Sequence, residues 1–151
     1  MSQNDIPSDA REPAFHVPRI IVFLAVIILT FQLIMQFAEG PLSLMLIVEM
    51  ALFPARFFAE NMGGLPGGLG QGVFSLVSYG FLHSGWSHCL INLIWLVAFG
   101  APVARRLGAR RFLALYLACI VAGGLVQIFI ADEEAWLVPI IGASAGVSGM
   151  M

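Results

Sequence analysis

Three uncharged apolar runs limit what this chain can become. Residues 20–37, 81–100 and 112–131 contain no Asp, Glu, Lys or Arg. Each is long enough to cross the roughly 30 Å hydrocarbon layer of a bilayer, which takes about 20 helical residues. No water is present there, so every backbone N–H and C=O must be satisfied within the segment, and a helix does this. Hydrophobic residues make up 60% of the 151 and charged residues 11%, against about 25% charged in a soluble domain. The pattern is that of an all-α polytopic membrane protein. A fourth apolar segment, residues 137–151, spans only about 22 Å as a helix and is the start of a crossing.

The segments between the runs carry the charge. Residues 1–17 form a polar tail with Asp5, Asp9, Arg11 and Glu12. It lacks the positive n-region and small-residue cleavage site of a signal peptide. Gln32 and Gln36, four apart near the end of the first run, are expected to turn their amides toward other helices. Residues 42–53 are apolar but interrupted by Glu49 and closed by Pro54. That is too short to span and suits a half-inserted element, either a plain anchor or a lateral wall over a site. The glycine-rich stretch from Gly63 to Gly72 is expected not to hold a helix. Pro102 is expected to end the second span, Gly123-Gly124 to allow close helix contact in the third, and Pro139 to start the fourth.

Arginine placement sets the orientation. Arg105, Arg106, Arg110 and Arg111 fill the connection between spans two and three, which puts that loop and the N-terminus in the cytoplasm. The acidic turn Asp132-Glu133-Glu134 then faces the exterior, with Trp136 in the aromatic belt. The arginines are not interleaved with stacking aromatics, so no nucleic-acid partner is expected. Cys89 and Cys119 sit in apolar runs and read as small packing residues rather than a disulfide or metal pair.

This topology brings three polar side chains to one depth. His88 and Asn92 are four apart on one helix face, and Ser144 lies within Gly142-Ala143-Ser144-Ala145-Gly146 at the start of the fourth segment. Polar groups in spans are costly and default to functional hypotheses. An imidazole and an amide at one level can hold a developing oxyanion, with the Ser144 N–H as a third donor. The bland alternative is interhelical hydrogen bonding by His88 and Asn92, and a small-residue packing motif around Ser144. His83, about 140° from His88 on a helix, shares its face only if the helix starts between them, with Ser84 as N-cap. A His83/His88 metal site lacks a close third ligand, so no metal or other cofactor is expected.

His83-Ser84-Gly85-Trp86-Ser87-His88-Cys89-Leu90-Ile91-Asn92, followed by Gly142-Ala143-Ser144-Ala145, resembles the rhomboid intramembrane serine proteases of bacterial type. Their second span carries H-x4-H-x3-N and their fourth opens with G-x-S-[GA]. The resemblance covers about residues 18–151, the first four of six core helices. It implies that Ser144 is the nucleophile and that His88 and Asn92 line the oxyanion hole. It implies that His83 is a structural histidine tying the outer loop to span two, and that residues 42–53 are the lateral first loop. Gly142 is then the opening glycine of helix four, and Gly149 a small residue packed against helix six. Ala145 stands where glycine is commonest, and Ser148 where many members carry a larger residue.

The expected activity is that of a serine endopeptidase cleaving transmembrane protein substrates near their outer ends by a Ser–His dyad. The resemblance assigns the dyad's histidine to helix six, so residues 1–151 alone are expected to be inactive; a serine without its base is a weak nucleophile. The alternative is a non-proteolytic rhomboid-like binder of transmembrane segments. The expected setting is the lipid bilayer of a bacterial inner membrane, with the site near the outer face.

Overall fold

The structure is a computed structural model that describes residues 17–38, 40–58 and 64–151. The polar tail, with His16, lies outside the described residues, as do Glu60, Asn61 and Gly63. The described residues form α1 (Arg19–Phe37), α2 (Pro41–Met50), α3 (Ala55–Phe58), α4 (Gly68–Ser78), α5 (Trp86–Leu107), α6 (Ala109–Ile130) and α7 (Ser144–Ser148). The architecture is all-α, and α1, α5 and α6 are long and apolar enough to cross a membrane.

Each long helix buries one stripe and exposes the rest. In α1 the buried positions are Ile21, Leu24, Ile28 and Gln32, and in α6 they are Phe112, Tyr116, Ile120, Gly124 and Ile128. These steps of three and four follow the helical repeat. The outward faces carry Val22, Phe23, Val26, Val126, Phe129 and Ile130, all at least half exposed. Such faces are apolar all round because lipid, not water, covers them. Gln36 turns to α5 as expected, its Oε1 accepting from Trp86 Nε1 at 3.1 Å.

Small residues set the closest contacts. A methyl added at Gly146 would lie 2.6 Å from the Tyr116 ring and 2.9 Å from Ile120, and one at Gly123 would lie 2.5 Å from Ala145 Cβ. Gly149 packs on Cys119 of α6. Lipid tails are as apolar as leucine, so helices associate here through van der Waals contact, which needs backbones close together.

Three local expectations are corrected. The second span is Trp86–Leu107, not 81–100, and Pro102 does not end it. A π turn at Leu96–Gly100 precedes the proline and widens the helix there, which accommodates the missing N–H and the ring. The glycine stretch does hold a helix from Gly68 onward, entered through Gly67 at φ 83°. Packing overrides propensity, because Gly72 lets α4 lie against Phe57 and Arg56. The fourth segment is helical only from Ser144, not from residue 137 or Pro139. Residues before it are drawn into an antiparallel bridge, with Leu52 N–H on the Ile140 carbonyl at 3.1 Å and Ile140 N–H on the Leu52 carbonyl at 2.9 Å.

The region before α4 is held by polar side chains on backbone carbonyls. Arg56, only 2% exposed, donates to the Val48 carbonyl at 2.7 Å and the Pro66 carbonyl at 3.3 Å. Its guanidinium lies over the Phe53 ring. The Ser78 hydroxyl donates to the Met50 carbonyl at 2.7 Å. Together they fix α2 and residues 51–54 against α4.

The tight α6–α7 contact gives the first prediction. Gly146→Ala should destabilise the chain by about 1–3 kcal/mol, the usual cost of overpacking, read as a lowered thermal midpoint in detergent. Ala122→Leu on the exposed face of α6 should stay within about 0.5 kcal/mol of the parent. Equal effects from the two would refute the close-packing account.

Candidate functional site

The site is assembled by a short buried backbone stretch with partners on separate segments. Gly142 takes φ +128°, a conformation that favours glycine, and its N–H donates to the Tyr79 carbonyl at 2.9 Å. Ala143 N–H donates to His83 Nε2 at 3.3 Å. Ser144 follows as the first residue of α7. The Tyr79 ring is locked in turn by its hydroxyl, which donates to the Ile120 carbonyl at 2.8 Å. The serine's position is thereby referred to α4, the 79–83 turn and α6 together.

The helix does start between the two histidines, but its N-cap is Gly85 and no side chain caps it. Ser84 instead reaches forward, its Oγ 3.2 Å from His88 Nδ1. His83 and His88 meet edge to face with ring centroids 4.9 Å apart. His88 also backs onto Gly142: a methyl there would lie 2.8 Å from His88 Nε2 and 3.8 Å from Ser144 Oγ. One turn on, Asn92 is 5% exposed and donates from Nδ2 to the His88 carbonyl at 2.9 Å.

His88, Asn92 and Ser144 line one cavity of about 220 Å³ together with Ile91, Trp95, Val147 and Ser148. The sequence reading picked out only its polar members. The spacing 88, 91, 92, 95 is a single helix face and would have supplied Ile91 and Trp95. Ser144 and Ser148 also border a second cavity, of about 310 Å³, between α6, α7 and residues 140–141, lined in part by Tyr79 and Gln127. The exposed Ser144 side chain therefore stands between two openings. Among the described residues no group of three or more His, Cys, Asp or Glu is arranged to hold a metal ion.

Burial and the neighbouring His88 push the His83 pKa down to about 4 from 6.5. Neutral His83 accepts the Ala143 N–H; a proton on Nε2 would set donor against donor. The folded pKa lies below the unfolded value, so this group's contribution to stability is complete above about pH 6.5 and declines as pH falls toward about 4. Thermal midpoints in detergent should therefore drop across that window for the parent chain. The drop should be smaller in His83→Gln, which keeps an acceptor and does not titrate; identical profiles would refute the role of this hydrogen bond.

Fold and comparisons agree on the class. Three membrane-length apolar helices define an integral membrane protein. The Rhomboid domain family profile matches residues 70–151, more than half of the chain, and runs from within α4 to α7 with the whole cavity. The chain belongs to the rhomboid family. It is 33% identical over 79 residues to Rhomboid-related protein 3 of Homo sapiens, covering 52% of this chain and 19% of that protein. It is 38% identical over 53 residues to Rhomboid-like protein 16, chloroplastic, of Arabidopsis thaliana, covering 35% and 16%. Against Rhomboid protein 1, mitochondrial, of Saccharomyces cerevisiae it is 31% identical over 77 residues, covering 51% and 22%. The matched stretch is thus about a fifth of each relative.

Proposed function

We propose that these residues form the nucleophile and oxyanion part of an intramembrane serine endopeptidase acting on transmembrane protein substrates. The observation that carries this reading is the convergence of Ser144, His88 and Asn92 on one cavity from separate parts of the chain. Ser144 Oγ attacks the scissile carbonyl. Its proton goes to a histidine supplied by sequence beyond residue 151, as the family resemblance implies, and that histidine returns it to the leaving amine.

The negative charge on the tetrahedral intermediate meets three donors. With the Ser84 hydroxyl donating to Nδ1 of His88, Nε2 carries the imidazole proton and faces Gly142. Asn92 Nδ2 has a second N–H beyond the one given to the His88 carbonyl. Ser144 N–H, at the first position of α7, lacks an intrahelical acceptor. The apolar walls Ile91, Trp95 and Val147 suit a substrate arriving from lipid. By the arginine distribution the site opens toward the outer membrane face and the N-terminus is cytoplasmic.

Asn92→Ala, made in the full-length protein, should lower kcat about 100–1000-fold with little change in KM, since an oxyanion donor acts mainly in the transition state. A parental kcat would remove Asn92 from the reaction. A fluorophosphonate probe should label Ser144 in the full-length protein and leave the isolated 151-residue chain unlabelled, because the base is needed to activate serine. A full-length protein that binds a transmembrane peptide but is neither labelled nor able to cleave it would favour the binding reading over the protease.

A further inference from the structure

Ser84 stands where local helix chemistry has no use for it. Serine is a preferred N-cap residue, yet the N-cap of α5 is Gly85 and no side chain caps the helix. Gly85 has φ 167°, extended backbone that any residue adopts, and a methyl added there would meet nothing within 4 Å. A capping serine would therefore fit at position 85. The hydroxyl comes one residue earlier instead, exposed, with its Oγ 3.2 Å from His88 Nδ1. Among the described residues this is the one hydrogen bond of the Ser84 side chain.

Three neighbours hold the His88 ring. His83 meets it edge to face, with centroids 4.9 Å apart. Gly142 lies against Cε1 and Nε2, where a methyl would come within 2.8 Å of both atoms. Ser84 takes the Nδ1 edge. A neutral imidazole carries one N–H, and the hydrogen bond made by one nitrogen decides where the proton sits. With the proton on Nδ1, Ser84 would accept and Nε2 would turn a lone pair toward the loop before Ser144. The backbone donors of that loop are already engaged, Gly142 N–H on the Tyr79 carbonyl and Ala143 N–H on His83 Nε2. The lone pair would also repel an oxyanion. With Ser84 donating, Nε2 carries the proton into the cavity that His88 lines, where water accepts it at rest. The exposed lone pairs of Ser84 are open to water as well.

We propose that Ser84 is a positioning residue whose hydroxyl donates to His88 Nδ1 and holds the ring in the Nε2–H tautomer, ready to meet developing negative charge. The catalytic purpose rests on the protease reading of Ser144, His88 and Asn92; the tautomer does not. Ser84 touches neither the nucleophile nor the substrate and acts only through His88. A single neutral hydrogen bond shifts such a balance by about tenfold. Its loss therefore leaves a mixture of tautomers rather than an inverted ring.

The test reads tautomer and rate separately. The chain is labelled with nitrogen-15 histidine and observed by NMR in detergent micelles at about pH 8, above the usual imidazole range. It holds three histidines, so the His88 signals are those lost in His88→Gln. The parent should carry the His88 proton on Nε2. Ser84→Ala should show a mixture, and Ser84→Thr, which keeps the hydroxyl, should restore Nε2–H. Ser87→Ala, which removes a neighbouring exposed hydroxyl, should match the parent. In the full-length protein Ser84→Ala should lower kcat by about threefold to tenfold with KM unchanged, and Ser84→Thr should recover it. Helical circular dichroism checks that each variant is folded, and the parental tautomer decides the matter if one is not. A proton on Nδ1 in the parent, or the parental tautomer kept in Ser84→Ala, would overturn the proposal. So would a changed tautomer with an unchanged kcat. If the full-length parent does not cleave, the protease reading falls, and the tautomers of the parent and Ser84→Ala still decide the role of Ser84.

Discussion

Non-helical backbone buried among membrane helices has to find its hydrogen bonds inside the protein. Residues 140–143 find theirs on Leu52, Tyr79 and His83. These partners come from two separate segments, Leu52 from one and Tyr79 and His83 from the 79–83 turn, so the entry to α7 is fixed only when both are folded. The arrangement leaves Ser144 at the head of a short helix with its side chain exposed to two cavities. A continuous helix through residues 137–151 would have satisfied the same backbone groups internally. It would also have detached the serine from the histidine turn.

Close packing completes what these bonds begin. Gly123 and Gly146 let α6 and α7 approach to backbone distance, and Gly142 does the same for His88 against the loop before Ser144. Gly100, within the π turn, takes Ile21 of α1 and Met150 against its surface. Small residues therefore mark these close contacts, which is how membrane helices gain contact without a hydrophobic drive between them.

The polar groups of the site are held in sequence rather than independently. The Ser84 hydroxyl contacts His88 Nδ1, the His88 carbonyl orients the amide of Asn92, and neutral His83 holds the backbone before Ser144. In the reaction proposed for Ser144, a developing charge would meet donors already aimed, so little reorganisation would be needed when it forms. The lipid-facing side chains Ile91 and Trp95 close the same cavity and give it an apolar approach.

The sequence alone determined the all-α class, the three helices long and apolar enough to cross a membrane, and the shared face of His88 and Asn92. These follow from one-dimensional quantities: the length of apolar runs and the four-residue spacing of a helix face. Tertiary structure decided where regular structure begins and ends. Gly68 opens a helix because α4 packs against Phe57 and Arg56, Pro102 sits inside one because a π turn absorbs it, and the segment before Ser144 is extended because Leu52 lies beside Ile140. It also decided that Ser84 bonds His88 instead of capping the helix, and that Gly149 rests on Cys119. Local propensity is worth at most about 1 kcal/mol per residue for all but proline, and contacts between segments distant in sequence outweigh it.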